Sequence, residues 1–297
     1  MKLRFTPIMA LLGYIFLYGP IISLVVYSFN KSKLVTVWGG WSTKWYGELF
    51  ANEQIMQAAW LSLKIGVISA SVATVLGTMM AMVLVRFKRV RGRGIMGGMI
   101  TGPLVMPDVI IGLSLLLLFV TVSGLLSELR TFEYEMLLSV FGDDVAKTLA
   151  QMMRTYFEYF PWPQGRGFST ILIAHITFNM AFVTVVVQSR LSDMDDSIEE
   201  AALDLGASPT RVFFDITLPM ITPALISGWL LAFTLSLDDL VISSFVSGPG
   251  ATTLPMVIFS KVRLGVSPDI NALASLIVLA VSIGIIISAL LMRKKPK

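Results

Sequence analysis

Cysteine is absent from this chain of 297 residues, so disulfide bonds, metal–thiolate sites and thiol catalysis are excluded. Histidine occurs once, at position 175, and there is no zinc-binding spacing, nucleophile–histidine–acid set or dinucleotide fingerprint. The sequence also lacks G-x-x-x-x-G-K-[ST], the loop that cradles nucleotide phosphates. We therefore predict a protein that is not an enzyme, with no catalytic residues, no metal site and no cofactor bound by this chain.

Charged residues are scarce as well. They make up 14% of the chain, against about 25% in a soluble domain, while 55% of the residues are hydrophobic. This composition predicts an all-α, polytopic membrane protein. The net charge of +4 does not imply a nucleic-acid partner, because the basic residues are placed as a membrane topology requires.

Six apolar stretches approach or exceed the roughly 20 residues that a helix needs to cross a bilayer. They lie at 8–29, 58–85, 95–122, 171–189, 221–246 and 270–292. The first is too long for a signal peptide and lacks an A-x-A-like site after it, so we interpret it as a retained span. We divide the chain into a first helix with an outer interfacial segment (1–57), a five-helix core (58–292) and a basic tail (293–297).

The basic residues predict the orientation of the chain in the membrane. More than half of the 23 lie at 1–7, 86–94, 190–220 and 293–297. The positive-inside rule therefore places both termini in the cytoplasm. All but one of the 6 tryptophans fall on the opposite side or at its border, namely Trp38, Trp41, Trp45, Trp60 and Trp162. We expect an outer aromatic belt with an interfacial helix over 41–57, and prefer anchoring to substrate contact as its role.

A polar stretch at 197–219 has the pattern of a helix, a turn and a second helix. Ser197 and Glu200 form a predicted capping box for the first helix, and Gly206 suits the left-handed residue that ends it. Ser208 is expected to cap the second helix, with Pro209 at its first position. Leu218-Pro219 is expected to end the unit, because a residue before proline disfavours the α conformation. Such a hairpin is either an ordinary loop or a docking surface for a soluble partner, and two capped helices favour docking.

The same stretch resembles a known signature. Glu200-Ala201-Ala202, Gly206 and Ile216-Thr217-Leu218-Pro219 are similar to the EAA motif of permease subunits of bacterial ABC importers. In that family the hairpin, here within 190–220, is the coupling helix that sits in a cleft of the ATPase. The resemblance assigns nine residues to ATPase coupling: Glu199, Glu200, Ala201, Ala202, Gly206, Ala207, Ile216, Leu218 and Pro219. Acidic residues of the hairpin could meet basic groups of the ATPase: Asp193, Asp195, Asp196, Glu199, Glu200 and Asp204.

Other stretches, at 28–49, 104–120, 226–242 and 244–255, are similar to the second permease subunit of putrescine-type importers. The resemblance implies a six-span fold of the type I ABC importer permeases in a bacterial inner membrane. It also implies four partners: a homologous second permease in a heterodimer, two ATPase copies that bind ATP and Mg, a periplasmic polyamine-binding protein and membrane lipid. Which polyamine is carried stays open, and putrescine is the first candidate before spermidine and cadaverine.

Three carboxylates lie deep in apolar sequence. Counted at 1.5 Å per residue, Asp108 is about 20 Å from the cytoplasmic start of its span, and Asp238 and Asp239 about 25 Å from theirs. An acid there costs about 2.5–3.5 kcal/mol and usually faces a cavity or a partner. Because adjacent residues point about 100° apart, we expect one of Asp238 and Asp239 to line a cation pathway and the other to pair with a neighbour. The alternative is that the acids cap a broken helix or contact a partner permease.

Other features of the spans fit such a pathway. Trp229 and Phe233, one turn apart below the acids, could offer aromatic faces to an ammonium group. Pro103 and Pro107 favour a kink before Asp108. His175 is interpreted as a satisfied packing residue rather than a proton relay.

Small residues recur four apart in three spans, which predicts close helix packing within the subunit or with a partner. The three sets are Ala73, Gly77 and Ala81; Gly94, Gly98 and Gly102; and Ala224, Gly228 and Ala232. The outer segment 123–169 is longer than expected for this branch, with a predicted helix over 145–159 ended by Pro161 and Pro163. It is either a solvated insertion or a contact for the binding protein.

The sequence thus predicts a permease subunit that forms half of a polyamine pathway and is coupled to a separate ATPase. Two alternatives remain. One is an ABC permease for another small cation or a peptide, and the other is an ion-coupled secondary carrier. The EAA-like hairpin and the absence of a detectable inverted repeat disfavour the carrier.

Overall fold

The computed structural model describes residues 5–34, 37–87, 92–158, 165–265 and 267–293. Nearly all of these residues are helical, and none of them forms a strand, which confirms the predicted all-α fold. The helices are α1 Phe5–Ser28, α2 Lys44–Ala51, α3 Glu53–Arg86, α4 Arg93–Val105, α5 Asp108–Phe141, α6 Asp143–Glu158, α7 Phe168–Ser192, α8 Asp196–Asp204, α9 Pro209–Val212, α10 Leu218–Asp238, α11 Val241–Val246, α12 Leu254–Leu264 and α13 Pro268–Arg293.

Among the described residues, 5 helices are long and apolar enough to cross a membrane. They are Pro7–Ser28, Glu53–Arg86, Asp108–Glu128, Phe168–Ser192 and Pro209–Asp238. A shorter apolar helix, Pro268–Ile283, lies where the sixth span was predicted. Every predicted span therefore falls on helical structure. Much of the basic segment 86–94 (residues 88–91), and all of the tail after Arg293, lie outside the described residues.

The chain divides into two compact units, Met1–Ala59 with Val257–Lys297, and Trp60–Met256. The predicted division at 57 and 292 stays a prediction. In the first unit α13 packs against α1 and α2. The predicted helix over 41–57 is shorter than expected, because it is interrupted at Asn52, where the backbone is extended.

An aromatic cluster lies beside α2 in this unit. Trp45 is buried and its indole N–H donates a 2.6 Å hydrogen bond to the carbonyl of Asn30, whereas Trp38 and Trp41 are exposed and pack edge to face. Trp45 therefore belongs to the packed interior of this unit. Its exposed neighbours remain candidates for the predicted aromatic belt, and Trp162 lies outside the described residues.

In the second unit small residues allow α3, α7 and α10 to pack closely. Val183 of α7 is fully buried between Gly77 of α3 and Gly228 of α10. A Cβ atom added at Gly77 would lie 2.9 Å from a Val183 methyl group, and one at Gly228 would lie 3.4 Å from it. Two of the three small-residue sets thus pack within the subunit. The third, on α4, has no described atom within 4 Å of an added Cβ at Gly94, Gly98 or Gly102.

The third predicted span is not one helix. Helix α4 ends at Val105, Met106 is extended with φ −80° and ψ 138°, and α5 begins at Asp108. Pro107 explains the break, because its ring disfavours the α conformation at the residue before it and it offers no N–H. The kink predicted before Asp108 is therefore a complete break, and counting the depth of Asp108 along a single helix from Ile95 was wrong.

The fifth predicted span is also broken. Helix α10 ends at Asp238, Asp239 is extended with φ −65° and ψ 118°, and α11 begins at Val241. The carboxylate of Asp239 accepts hydrogen bonds from the backbone N–H groups of Ile242 at 3.1 Å and Ser243 at 2.7 Å. These bonds satisfy N–H groups that lack partners in the first turn of a helix. The continuous helix over 221–246 was wrong, and the capping alternative holds for Asp239.

The outer segment is a pair of helices. Helix α5 continues past its apolar part to Phe141, and α6 packs against it after a turn at Gly142, where φ is +78°. The helix predicted from Val145 begins two residues earlier, at Asp143. The prolines expected to end it, Pro161 and Pro163, lie outside the described residues.

Candidate coupling hairpin and acid cluster

The first helix of the hairpin is capped by a residue that the sequence analysis did not select. Asp195 has an extended backbone, and its carboxylate accepts a 3.0 Å hydrogen bond from the N–H of Ser197. The backbone N–H of Ser197 is the main reason that the pKa of Asp195 lies below its ordinary value, and the Ser197 side chain adds to the effect. The predicted capping box of Ser197 and Glu200 was wrong, because Ser197 already lies inside α8.

The turn between the two hairpin helices follows the prediction. Gly206 has φ +86°, the left-handed conformation in which a side chain is strained. The N–H of Gly206 bonds to the carbonyl of Leu203 at 2.9 Å, and that of Ala207 to Ala202 at 3.1 Å. These bonds occupy carbonyls that the end of α8 would otherwise leave free. An added Cβ at Gly206 would meet no described atom within 4 Å, so only the backbone requires glycine there.

The second hairpin helix starts as predicted but does not stop where expected. Ser208 caps it by accepting a 3.4 Å hydrogen bond from the N–H of Arg211, and Pro209 is its first residue. The chain then passes through a π-helical turn, Phe213–Thr217, in which the N–H of Leu218 bonds to the carbonyl of Phe213. Leu218 itself is α-helical. The predicted end at Leu218-Pro219 was wrong, because the wider π turn leads into α10 and the early proline needs no N–H partner.

An arginine outside the hairpin links the hairpin to α3. Arg86, the last residue of α3, pairs through Nη1 with Asp196 and through Nη2 with Glu199 at 2.9 Å. The hydroxyl of Thr217 donates a 2.7 Å hydrogen bond to the same Glu199 carboxylate. Asp196 and Glu199, expected to meet the ATPase, thus already have partners within this chain. Sequence reasoning missed Arg86 because it counted the basic run at 86–93 only as a topology signal.

The other predicted coupling residues lie along the hairpin surface. Glu200, Ala201 and Pro219 are exposed, and Ala202, Ala207, Ile216 and Leu218 are half-buried. Asp193, Asp195 and Asp204 are exposed too. Four large apolar side chains are also uncovered in this chain: Ile198, Leu203, Leu205 and Phe214. Leu205, beside Gly206, is 89% exposed. Several exposed apolar side chains on one polar surface hairpin are typical of a protein contact surface.

The three acids of the spans come together at the two helix breaks. Asp108 is the first residue of α5, Asp238 the last of α10, and the carboxylates of both are close enough to interact electrostatically. Helices α5 and α11 approach tightly at Gly112, where an added Cβ would lie 2.7 Å from the Phe245 ring. The acids therefore form one cluster, which we call the acid cluster: Asp108, Asp238 and Asp239.

The two adjacent acids have different surroundings. The carboxylate of Asp239 lies 3.1 Å from Nε2 of His175, whose side chain is 2% exposed. His175 also contacts Ser243 at 3.0 Å through Nε2 and Ser236 at 2.6 Å through Nδ1. His175 is thus the satisfied packing residue that was predicted. Asp239 is the acid paired with a neighbour, and Asp238 is exposed in this chain.

The predicted aromatic pair packs against α3. Trp229 and Phe233 are stacked with ring centroids 5.2 Å apart and planes 8° apart. The indole N–H of Trp229 donates a 3.1 Å hydrogen bond to Ser71, and the Phe233 ring lies 3.1 Å from a Cβ atom added at Gly66. Both side chains are half-buried. Within the described residues, no group of three or more histidine and acidic side chains could hold a metal ion.

The chain has apolar helices long enough to span a bilayer, and two of its predicted spans are broken beside polar groups. A capped surface hairpin links α7 to α10. These features are those of a subunit of a helical membrane transporter. The family follows from the sequence: residues 73–294 match the model described as "Binding-protein-dependent transport system inner membrane component". The chain belongs to this family of inner-membrane permeases.

Characterised relatives narrow the comparison. The chain is 55% identical over 290 residues to the putrescine transport system permease protein PotI of Escherichia coli strain K12, covering 98% of this chain and 91% of that protein. It is 40% identical over 284 residues to the spermidine/putrescine transport system permease protein PotC of the same strain, covering 96% and 92%. Both relatives are permease proteins of transport systems, consistent with a subunit that is not an enzyme.

Solved structures support the fold. A crystal structure of a bacterial ABC transporter involved in alginate import aligns with a TM-score of 0.60 at 16% identity, over 99% of this chain and 97% of that one. A second, of a bacterial alginate ABC transporter in complex with alginate pentasaccharide-bound periplasmic protein, aligns with a TM-score of 0.63 at 18% identity, over 99% and 94%. The fold is therefore that of an ABC importer permease.

Proposed function

We propose that this chain is the permease subunit of an ATP-driven polyamine importer and forms half of its translocation pathway. The observation that carries the proposal is the 55% identity with a putrescine permease across nearly the whole chain. Putrescine is accordingly the first candidate substrate, and spermidine and cadaverine are the next. The chain lies in a bacterial inner membrane with both termini in the cytoplasm, which is the orientation that the basic residues of its ends and loops favour.

The acid cluster supports a cationic substrate. Two unit charges about 4 Å apart interact by about 4 kcal/mol at an effective dielectric constant of 20, before desolvation is subtracted. Asp108 and Asp238 therefore form a favourable binding site for an ammonium group along an otherwise apolar pathway. The stacked Trp229 and Phe233 add aromatic faces suited to the same charge. Asp239, held by His175, has the structural role of fixing the break between α10 and α11.

Coupling to ATP is assigned to the hairpin. In this proposal the chain pairs with a distinct, homologous permease, and two ATPase copies that bind ATP and Mg dock on the two hairpins. A soluble polyamine-binding protein delivers the substrate on the outer side. The exposed apolar residues around Leu205, with Glu200 beside them, form the contact surface for the ATPase. Closure of the ATPases on ATP would then move the hairpins and open the pathway alternately to each side.

The test is uptake of labelled putrescine into proteoliposomes that contain this chain, its partner permease, the ATPase and the binding protein. We expect uptake only with ATP, and competition by other diamines but not by peptides. The chain alone should neither hydrolyse ATP nor accumulate putrescine. Uptake by the chain alone under a proton or sodium gradient would establish a secondary carrier instead, and competition by peptides would point to the other ABC substrate class.

A further inference from the structure

The coupling hairpin is attached to this subunit at three places, of which two are covalent. It continues from α7 through residues 193–195 and runs into α10 through the π-helical turn. The third attachment is Arg86, which ends α3 and lies 110 residues before its partner Asp196 and 113 before Glu199. These contacts of Arg86 therefore link α3 to the hairpin across a long separation in sequence.

The geometry of this attachment suits arginine better than lysine. Asp196 and Glu199 are three residues apart on α8, so their side chains project from the same face of that helix. The planar guanidinium offers parallel N–H groups, and Arg86 uses one Nη for each carboxylate. Lysine would present a single point charge and could not hold both acids in the same way.

Glu199 joins three elements at one carboxylate. It accepts from Arg86 of α3 and from the hydroxyl of Thr217 at the end of the π-helical turn, while its own backbone belongs to α8. The side chains of Arg86 and Glu199 are only 17% and 18% exposed, so solvent screens this pair less than a surface ion pair. Glu199 is thus turned into the subunit, whereas its neighbour Glu200 is exposed.

We propose that Arg86 is a positioning residue that makes α3 move together with the coupling hairpin, and that Glu199 serves this link rather than the ATPase contact. The inference rests on the proposed function and deepens it. Displacement of the hairpin then reaches α3 as well as α7 and α10, so the three packed helices of the second unit shift as one body. Glu200 is the acid of the pair that remains for the ATPase.

The first experiment measures putrescine uptake per ATP hydrolysed in the reconstituted complex, normalised to assembled protein. Arg86→Gln is expected to lower this ratio about tenfold, since the loss of 1.36 kcal/mol of coupling is a factor of ten. Arg86→Lys should recover part of the lost uptake per ATP. The double variant Arg86→Gln with Glu199→Gln should have an uptake per ATP no lower than that of either single variant.

The matched control is Arg93→Gln, because Arg93 belongs to the same basic run, is exposed and forms no ion pair within the described residues. An unchanged ratio in Arg86→Gln, or an equal loss in Arg93→Gln, would overturn the proposal.

A second experiment separates the two adjacent glutamates by the affinity of the ATPase for the permease. Glu200→Gln is expected to weaken this affinity, whereas Glu199→Gln should leave it unchanged and lower the uptake per ATP. Equal weakening by both variants would place Glu199 in the ATPase contact and contradict the inference.

A third readout does not depend on the substrate. Hydrogen–deuterium exchange of the α8 amides should accelerate in Arg86→Gln and not in Arg93→Gln. Unchanged exchange in Arg86→Gln would disprove the attachment. If the wild-type complex carries no polyamine while this difference in exchange is seen, the proposed substrate is wrong and the attachment stands.

Discussion

The Nε2 atom of His175 lies 3.1 Å from the carboxylate of Asp239, and this contact joins α7 to the break between α10 and α11. With Nε2 protonated, His175 donates to Asp239, and Nδ1 accepts from the hydroxyl of Ser236 at 2.6 Å. Ser236 in turn accepts from Ser69 of α3 at 3.1 Å. Both ring nitrogens of His175 therefore have polar partners, and the series links α3, α7 and α10.

This difference in surroundings predicts different effects for the two adjacent acids. Asp238→Asn should leave assembly and basal ATPase activity intact but lower putrescine uptake about tenfold. The interaction of Asp238 with an ammonium group is worth about 4 kcal/mol before desolvation, and if one third of it is lost from the barrier the rate falls by a factor of about ten. Asp239→Asn should instead reduce the yield of assembled complex. The measurement is uptake normalised to assembled complex for each variant. Normal normalised uptake in both would remove these residues from the pathway.

A pair of substitutions on α7 tests the structural role of His175. His175→Leu should destabilise the complex by about 1–3 kcal/mol, because the buried groups of Ser236 and Asp239 lose a partner. Asn179, one turn along, is fully buried, and its amide has no hydrogen-bond partner among the described residues. Asn179→Leu should therefore be neutral or stabilising. Thermal unfolding of the purified complexes distinguishes the two, and equal destabilisation would contradict the assignment.

Gly206 provides a test of coupling. Gly206→Val should abolish uptake while the protein remains inserted, because a β-branched residue is poorly tolerated at φ +86°. Gly206→Asn should retain much of the activity, since asparagine accepts the left-handed conformation more readily. The measurements are uptake and stimulation of the ATPase by the loaded binding protein. Full uptake with normal stimulation in the valine variant would rule out the requirement.

The close approach of α5 and α11 can be tested with two glycines of one helix. Gly112→Ala places a methyl group 2.7 Å from the Phe245 ring and 3.3 Å from the Cα of Ile242, so α11 must shift. Overpacking of this kind costs about 1–3 kcal/mol, and we expect lower complex stability together with lower uptake. Gly124→Ala, further along α5, meets no described atom within 4 Å and should leave both unchanged.

The cap at Asp195 predicts a pH dependence of the hairpin. The hydrogen bond from the Ser197 N–H lowers the pKa of Asp195 in the folded protein. The stability that Asp195 gives to α8 is therefore fully present above its ordinary pKa of 3.8. It is lost as the pH falls through the lower pKa of the folded state. Exchange of the α8 amides, corrected for intrinsic rates, should therefore rise in that acidic range. Asp195→Asn keeps an acceptor but does not titrate, so its exchange should not change with pH there. Identical profiles for the two proteins would refute the role of the cap.

The sequence predicted those features that depend on composition or on local turn chemistry. The spans followed from apolar length, and the hairpin turn followed from Gly206 and from Ser208-Pro209. The break before α5 also had a local signal, because Pro107 constrains Met106. The kink predicted there from the prolines is a complete break between α4 and α5.

Other features depend on contacts between distant residues and have no local signal. No proline or glycine marks the break at Asp239, which is stabilised by His175, 64 residues earlier. The Arg86 ion pairs depend in the same way on how α3 meets α8. At Leu218-Pro219 the proline wrongly predicted the end of a helix. The π-helical turn before it leads directly into α10, and a rule based on proline alone does not predict such a turn.

The π-helical turn has a mechanical consequence. Because it lets the helix run on through Pro219, the stretch Pro209–Asp238 is one continuous helical span of 30 residues with the hairpin at one end and Asp238 at the other. At 1.5 Å per residue the span is about 45 Å long at most, so a tilt of about 10° about its hairpin end would swing Asp238 by up to about 8 Å. A lever of that length would amplify a small movement at the membrane surface into the separation of Asp238 from Asp108.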